Sequence, residues 1–451
     1  MAQLKSKTVY LCSACGDDHP KWNGQCPSCN EWGTLSEYKV SKNRKKGGNG
    51  IVNKSRTLED VLQDGEVKRI PVCIEEIDRV LGGGLLPGSL ILLGGNPGIG
   101  KSTLALQLLP ALKTPVLYVS AEESEDQIGL RAKRLNVHSK TLNLSSENRI
   151  QGILDQVSLV QPELIVVDSI QTIYSEDLDS LPGSISQIRE CGQQLLQLAK
   201  QKGIAVLIIG HVTKEGVIAG PKMLEHLVDT VLYLEGDDRY DHRILRSAKN
   251  RFGTTNEVGI FQMGANGLKE VDNPSELFLA ERQENITGST IFPSLEGSRP
   301  ILVEVQALIS NANFGTPQRN VNGFDFKRLA MLLAVLEKRL GTQMGTKDVF
   351  VNFVGGLKID DPAADLAVIT AVASGSRDKF ISNSVVLIGE VGLGGEVRSV
   401  SRLEERINEA KSLGFKSVIA PMANVKRMKN SPKGIKICGV SNVGEAFHNL
   451  F

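Results

Sequence analysis

A chain of 451 residues with 41% hydrophobic and 23% charged side chains is long enough for about three domains of ~150 residues, each with a buried core. No stretch approaches the ~18 unbroken apolar residues of a bilayer span. The opening MAQLKSKTVY has neither the cationic start nor the long apolar run of a secretory signal, so a cytoplasmic protein without a membrane partner is expected. Fifty-two Lys and Arg against 51 Asp and Glu leave a net charge of +1, and any affinity for a polyanion has to come from local patches.

The chain begins with a cysteine module. Four of the seven cysteines fall in the first 29 residues, where Cys12-Ser-Ala-Cys15 and Cys26-Pro-Ser-Cys29 form two tight pairs. Each pair sits on a turn that points both sulfurs at one place, which suits a tetrahedral structural zinc. Gly16, Gly24 and Pro27 are turn formers, and Trp22 and Trp32 could cover the module. A redox reading needs a single pair beside a βαβ unit, and none is near. Cys73, Cys191 and Cys438 are scattered and read as small hydrophobes. From Lys39 to Arg56 the chain holds seven Lys or Arg, three Gly and no acid, the composition of a flexible basic linker.

Beyond about Val67, short apolar runs alternate with amphipathic stretches. LILLGG precedes a helix from Lys101, VLYVS a Glu-rich helix, and LIVVD a helix around Ser186 to Lys202, with AVLIIGH following. Five-residue apolar strands separated by longer helices imply a parallel sheet buried on both faces. TVLYLEG, RILRSAKNRF and EVGIFQM follow with few helices between them, so the sheet is expected to end in antiparallel strands near residue 270. Residues 276–451 read as a separate α/β unit with strands ILVEVQAL, VFVNFVGG, SVVLIGEV and SVIAPM.

Gly95-Asn96-Pro97-Gly98-Ile99-Gly100-Lys101-Ser102, followed by Thr103, satisfies G-x-x-x-x-G-K-[ST] between an apolar strand and a helix, the context the motif needs. The glycines let backbone N–H groups turn toward a β-phosphate, Lys101 reaches the β- and γ-phosphates, and Ser102 offers its hydroxyl to Mg2+. Asp168, ending LIVVD, is placed to hold the metal through water. Glu122, ending VLYVSAE, could polarise the attacking water, whereas Glu123 reads as a first-turn helix residue favoured by the dipole. His211, closing AVLIIGH, lies where a γ-phosphate sensor would sit; a helix-capping or loop histidine fits equally well. ATP, Mg2+ and Zn2+ are the expected cofactors.

These features together resemble the bacterial RadA (Sms) DNA repair proteins over essentially the whole length. The resemblance rests on the four-cysteine ribbon, GGNPGIGKST, the run GHVTKEGVIAGPKMLEHLVDTVLYLEGD, KNRFG at 249–253, and a C-terminal half similar to the Lon protease domain. It implies a zinc ribbon over 1–38, a basic linker over 39–58, a RecA-like P-loop ATPase core with a mainly parallel sheet over 59–275, and a Lon-protease-like α/β domain over 276–451. Similarity to RecA-type and hexameric helicase motors implies a homo-hexamer with ATP between subunits, single-stranded DNA in the channel, and branched recombination intermediates processed beside the RecA recombinase.

In Lys249-Asn250-Arg251-Phe252-Gly253 the i, i+2 spacing sends both cations to one side of an extended segment. In the motors it resembles, the equivalent pair reaches the neighbouring subunit's site, which makes Arg251 the candidate arginine finger. A salt-bridged edge strand and a direct DNA contact are the competing roles. Lys214 and Lys222, with Gly216 and Gly220 between them, form a cationic loop suited to tracking phosphates in a channel.

The Lon resemblance raises a rival function, an ATP-dependent protease with a Ser-Lys dyad. The family's P-S-A-G context falls on Pro362-Ala363-Ala364-Asp365, with Ala363 at the serine. Its G-G-L-K-E-K context falls on Ser401 to Arg406, with Glu404 at the lysine. A methyl group is no nucleophile, and a shifted one such as Ser374 or Ser376 would need a new base. This half reads as an assembly scaffold, and Lys338, Arg339 and Lys347 could add a basic surface for duplex DNA. The expected function is a DNA-dependent ATPase and ring motor in recombinational repair, with a non-translocating ATP-switched DNA-binding module as a third reading.

Overall fold

The computed structural model describes residues 7–12, 18–28, 30–40, 57–63, 67–211, 224–236, 240–283, 285–312, 316–428 and 432–451. Cys15, Cys29, most of the basic linker, Lys214 and Lys222 lie outside them. Two compact units account for the chain, residues 1–236 with 241–270, and residues 271–451 with 237–240. The second unit starts ahead of the expected 276 because the helix Pro274–Leu279 packs on its strands, with Ser275 Oγ accepting from Leu302 N at 3.0 Å and donating to Glu409 at 2.7 Å.

The ribbon consists of β1 (Lys7–Cys12), β2 (Asp18–His19) and β3 (Leu35–Val40), ordered β2-β1-β3 and antiparallel. Cys12 and Cys26 are fully buried and share one small cluster with Leu35. Cys26 Sγ is 3.5 Å from His19 Nε2. Two thiols concentrated in so small a core fit half of a tetrahedral metal set.

The first unit's sheet has nine strands: β4 (Leu90–Gly95), β5 (Val116–Ser120), β6 (Leu142–Ser145), β7 (Leu164–Asp168), β8 (Ala205–His211), β9 (Thr230–Glu235), β10 (His242–Asn250), β11 (Val258–Gly264) and β12 (Gly267–Glu270). Their order is β12-β11-β10-β9-β4-β8-β7-β5-β6. The continuous apolar runs follow from burial on both faces. Ile91, Leu93, Tyr118, Val166, Leu207 and Ile209 join one core, whereas Leu90, Leu92, Leu117, Val119, Val167 and Ile208 join the other, the period-2 split of a pleated strand. Helices α1 (Lys101–Leu108) and α2 (Glu125–Arg134) close the first face. Helices α3 (Ile150–Val160) and α4 (Ile185–Lys202) close the second, through Ile150, Ile153, Ile188, Cys191 and Leu195.

β9 departs from the expected antiparallel tail. It pairs parallel to β4, with Ile91 opposite Thr230, and the antiparallel strands begin only at β10. The chain between β8 and β9, which includes the helical residues 224–227, returns to the sheet's starting edge before β9 sets out, as parallel pairing requires.

The second unit's main sheet contains β13 (Ser289–Glu296), β14 (Arg299–Asn311), β15 (Arg319–Asn322), β16 (Lys347–Phe353), β17 (Val385–Leu387), and two later strands, Ser417–Pro421 and Lys436–Val440. The helix Asp365–Arg377 packs on β13 and β14 with ten consecutive buried residues from Asp365 to Ser374. No helix among the described residues is long and apolar enough to cross a membrane.

Candidate functional site

β4 ends at Gly95, and residues 95–102 turn directly into α1. Gly95 adopts φ 154° and Gly100 φ 115°; a Cβ would meet Leu234 O at 2.6 Å in the first case and the Met263 methyl at 2.6 Å in the second. Only glycine satisfies both demands. Ile99 is buried and anchors the loop from beneath, while Pro97 and Gly98 are exposed and Asn96, Ser102 and Thr103 are half-buried. The first turn of α1 leaves backbone N–H groups unpaired at this point, with the positive end of the helix dipole behind them.

Lys101 is 3% exposed, and its Nζ donates to Gly95 O at 2.8 Å and Asn96 O at 2.9 Å. Burial pulls its ammonium down to about 8, against the upward pull of Asp168 and Glu122. Between that value and the ordinary 10.5 the folded chain binds fewer protons than the unfolded one, so this group adds stability as pH rises through that window. Phosphates beside the amine restore its charge. We therefore expect nucleotide binding to take up a proton above pH 8, and affinity to fall by up to about tenfold per pH unit there. Titration calorimetry in buffers of different ionisation heats checks this, and a pH-independent affinity would refute it.

Asp168 ends β7 and is 5% exposed. The Tyr118 hydroxyl donates to its Oδ2 at 2.7 Å, and burial, reinforced by Asp168, pushes the phenol well above its ordinary range. Tyr118 therefore remains a donor that fixes the carboxylate. Glu122 lies two residues past the end of β5, not within the strand as expected, because pairing with β7 stops at Ser120. Its carboxylate is 41% exposed, accepts from Ser169 Oγ at 2.5 Å and lies 3.6 Å from His211 Nε2. Glu123 is not the first-turn helix residue expected: it precedes Ser124, whose side chain caps α2, and it pairs with Arg131 in the last turn of that helix. His211 Nδ1 and Gln171 Oε1 are buried with no hydrogen-bond partner among the described residues, and Gln171 Nε2 donates to His211 O at 3.5 Å. Two unsatisfied polar atoms, one of them on the histidine whose Nε2 faces Glu122, fit a place completed by a polar ligand.

The KNRFG segment occupies the other end of the sheet. Arg251 N donates to Asp229 O, and Asp229 N to Leu90 O at the start of β4. The six residues of β4 therefore separate this cluster from the phosphate loop by about 16 Å at ~3.3 Å per step. Lys249 Nζ donates to the carbonyls of Glu225 (2.6 Å), His226 (3.4 Å) and Val228 (2.8 Å), capping the helical turn over 224–227. Burial, then Arg251, lowers its ammonium from the ordinary value. Both cations are turned toward residues 225–229, as their spacing implied, but they differ in commitment. The Arg251 side chain is 55% exposed and, among the described residues, engages only through Nη1, on Asp229 Oδ1 at 3.4 Å. Asn250 Oδ1 accepts from Phe252 N, and a Cβ on Gly253 would meet Asn250 Nδ2 at 2.9 Å.

In the second unit Ala363 is buried and Glu404 exposed, so neither half of a Ser-Lys dyad exists at the matching positions. Buried ion pairs flank the place. Arg406, 1% exposed, donates to Asp361 Oδ2 at 2.6 Å and Pro293 O at 2.5 Å. Asp365, fully buried, receives Arg328 Nε and Val391 N, each at 2.9 Å. Ser374 is equally committed, accepting from Gly288 N at 2.8 Å and donating to Lys379 O at 2.6 Å. Lys338 and Arg339 are exposed, and Lys347 donates to Asn311 at 2.6 Å.

A nine-stranded sheet wrapped on both faces, with a glycine-lysine loop after its central strand and a carboxylate two strands away, defines a RecA-like P-loop ATPase. Family models agree: an AAA domain matches residues 59–217, the Lon protease (S16) C-terminal proteolytic domain matches 339–450, and a Rubredoxin metal binding domain matches 10–37. The DNA repair protein RadA of Bacillus subtilis is 49% identical over 99% of this chain and 98% of its own length, and that of Listeria monocytogenes is 47% identical over the same shares. The chain belongs to the RadA family of DNA repair proteins. It is also similar to two solved structures, an ATPase domain (TM-score 0.41, 14% identity, 48% of this chain and 95% of that one) and the RadB recombinase (TM-score 0.37, 23%, 46% and 100%). The chain is thus an ATP-hydrolysing enzyme of DNA repair.

Proposed function

We propose that the chain works as a homo-hexameric ring motor on single-stranded DNA. In this reading ATP is cleaved between adjacent subunits, and the ring extends or branch-migrates recombination intermediates beside the RecA recombinase. The observation that carries it is the placement of Arg251: a half-exposed guanidinium about a strand's length from its own phosphate loop can complete only a second copy's site. That arrangement needs a head-to-tail contact, which gives a ring where the rotation between copies closes and an open filament where it does not.

Within one site, backbone N–H groups of residues 95–103 and the Lys101 ammonium hold the β- and γ-phosphates. Ser102 and Asp168 would hold Mg2+, which supplies charge neutralisation on the phosphoryl oxygens. Tyr118 keeps Asp168 in place. Glu122, open to water and steadied by Ser169, accepts the proton of the attacking water. Arg251 of the adjacent copy meets the charge that develops on the transferring group, and Lys249 caps the helical turn just ahead of Asp229, on which Arg251 rests. Cys12, Cys15, Cys26 and Cys29 would hold the zinc, and Lys214 and Lys222 line the DNA path. The Lon-type unit, without its dyad, serves as an assembly platform.

The test combines ATP turnover, with and without single-stranded DNA and across protein concentrations, with electron micrographs in ATP and DNA. Rings, DNA stimulation and a specific activity that climbs with concentration are expected. Full turnover by dilute monomers would end the reading.

A further inference from the structure

We propose that Asp229 is the positioning residue for Arg251, a buried counter-ion that aims the guanidinium outward before a neighbouring site arrives. The inference rests on the reading of Arg251 as a finger acting between subunits, and it adds a residue that reading does not name.

Asp229 lies just ahead of β9 and is 2% exposed. Its Oδ2 accepts from Leu90 N at 3.2 Å and from Lys200 Nζ at 2.7 Å, and its Oδ1 from Arg251 Nη1 at 3.4 Å. Backbone bonds reinforce the side chain, with Asp229 N donating to Leu90 O at 2.9 Å and Arg251 N to Asp229 O at 3.1 Å. One carboxylate thus serves two cations, and the cluster keeps a net positive charge toward solvent. Leu90 N and Lys200 already satisfy Oδ2, so the second oxygen is left for Arg251.

The flanking residues are fastened as well. Lys200 Nζ stands 5.5 Å from the Phe252 ring centroid. Arg69 Nη2 donates to Phe252 O at 2.6 Å, while its Nη1 holds Leu81 O and Gly84 O. Among the described residues, Nε and Nη2 of Arg251 and the buried Nδ2 of Asn250 are the side-chain donors left over in this segment, and of the two side chains Arg251 is the one open to solvent. A guanidinium held by one nitrogen has lost much of its rotamer freedom in advance, so less entropy is lost when it engages a phosphoryl group. Its remaining donors are preoriented for charge developing outside the subunit.

The experiment is subunit mixing. Asp229→Asn keeps size and an oxygen for Leu90 N, and it removes the charge that orients Arg251. Alone it is expected to lower ATP turnover at least tenfold. Mixed with Lys101→Ala chains, which have a disabled phosphate loop and an intact cluster, it should recover activity. Random one-to-one rings would reach about one quarter of the wild-type rate, because half the chains have a working loop and half of those an intact neighbour. A chain damaged merely in folding gains nothing from such a neighbour. Arg251→Ala mixed with Lys101→Ala is the parallel arm. Failure of that pair to recover overturns the between-subunit reading itself. Recovery there, with Asp229→Asn either unrescued or near wild type on its own, overturns the role of Asp229 alone.

Discussion

Arg251→Ala should lower ATP turnover by about 10³-fold or more, the range spanned by loss of an arginine finger, and leave the affinity of the free chain for ATP unchanged. The separation of effects follows from position. Arg251 is anchored through Asp229 to the start of β4, and the nucleotide loop begins at that strand's other end. Under the proposed cleavage between subunits, binding in one subunit is therefore expected not to sense the substitution, whereas the chemistry in the next one is expected to. Arg251→Lys is expected to recover little, because an ammonium replaces a planar fork by a point charge. Steady-state turnover beside equilibrium nucleotide binding checks both halves, and a variant that lost affinity and turnover together would contradict the assignment.

Lys101→Ala has a comparable effect by a different route. Its ammonium is almost wholly buried and directed at the loop carbonyls of Gly95 and Asn96, so truncation removes the one lysine within the loop and leaves two carbonyl oxygens without their donor. Losing one such preorganised donor typically costs about 10²–10³-fold in rate, and here affinity should fall as well, since the same group meets the phosphates in ground and transition states. Turnover by Lys101→Ala close to wild type would remove the phosphate loop from the mechanism.

What the sequence disclosed and what it concealed divide along a physical line. Local chemistry was legible: the loop's glycines, the lysine at the helix start, and continuous apolar strands that only a sheet covered on both faces accommodates. Ala363 and Glu404 were legible for the same reason, since a missing nucleophile is visible at its own position. Long-range pairing was not. Asp229 meets Leu90 from 139 residues away, Lys200 from 29 and Arg251 from 22, and it stands in an apolar run where one acid draws no attention. Tyr118 reads as an ordinary strand aromatic, yet its hydroxyl fixes Asp168 across 50 residues. Lys249 and Arg251 look equivalent by spacing. The helical turn that absorbs Lys249 comes from a segment whose return path no periodicity revealed, and the same return makes β9 parallel.

β4 has a consequence of its own. It runs from Leu90 to Gly95, flanked on both sides by parallel partners, β8 and β9, and a shift by one residue would exchange the side chains it gives to its two cores. Such a strand behaves as a ruler of fixed length. In the proposed ring, the interval from the stage where a subunit receives phosphates to the tip it would lend its neighbour is set by hydrogen-bonded backbone, and successive firing positions would inherit that constant gauge.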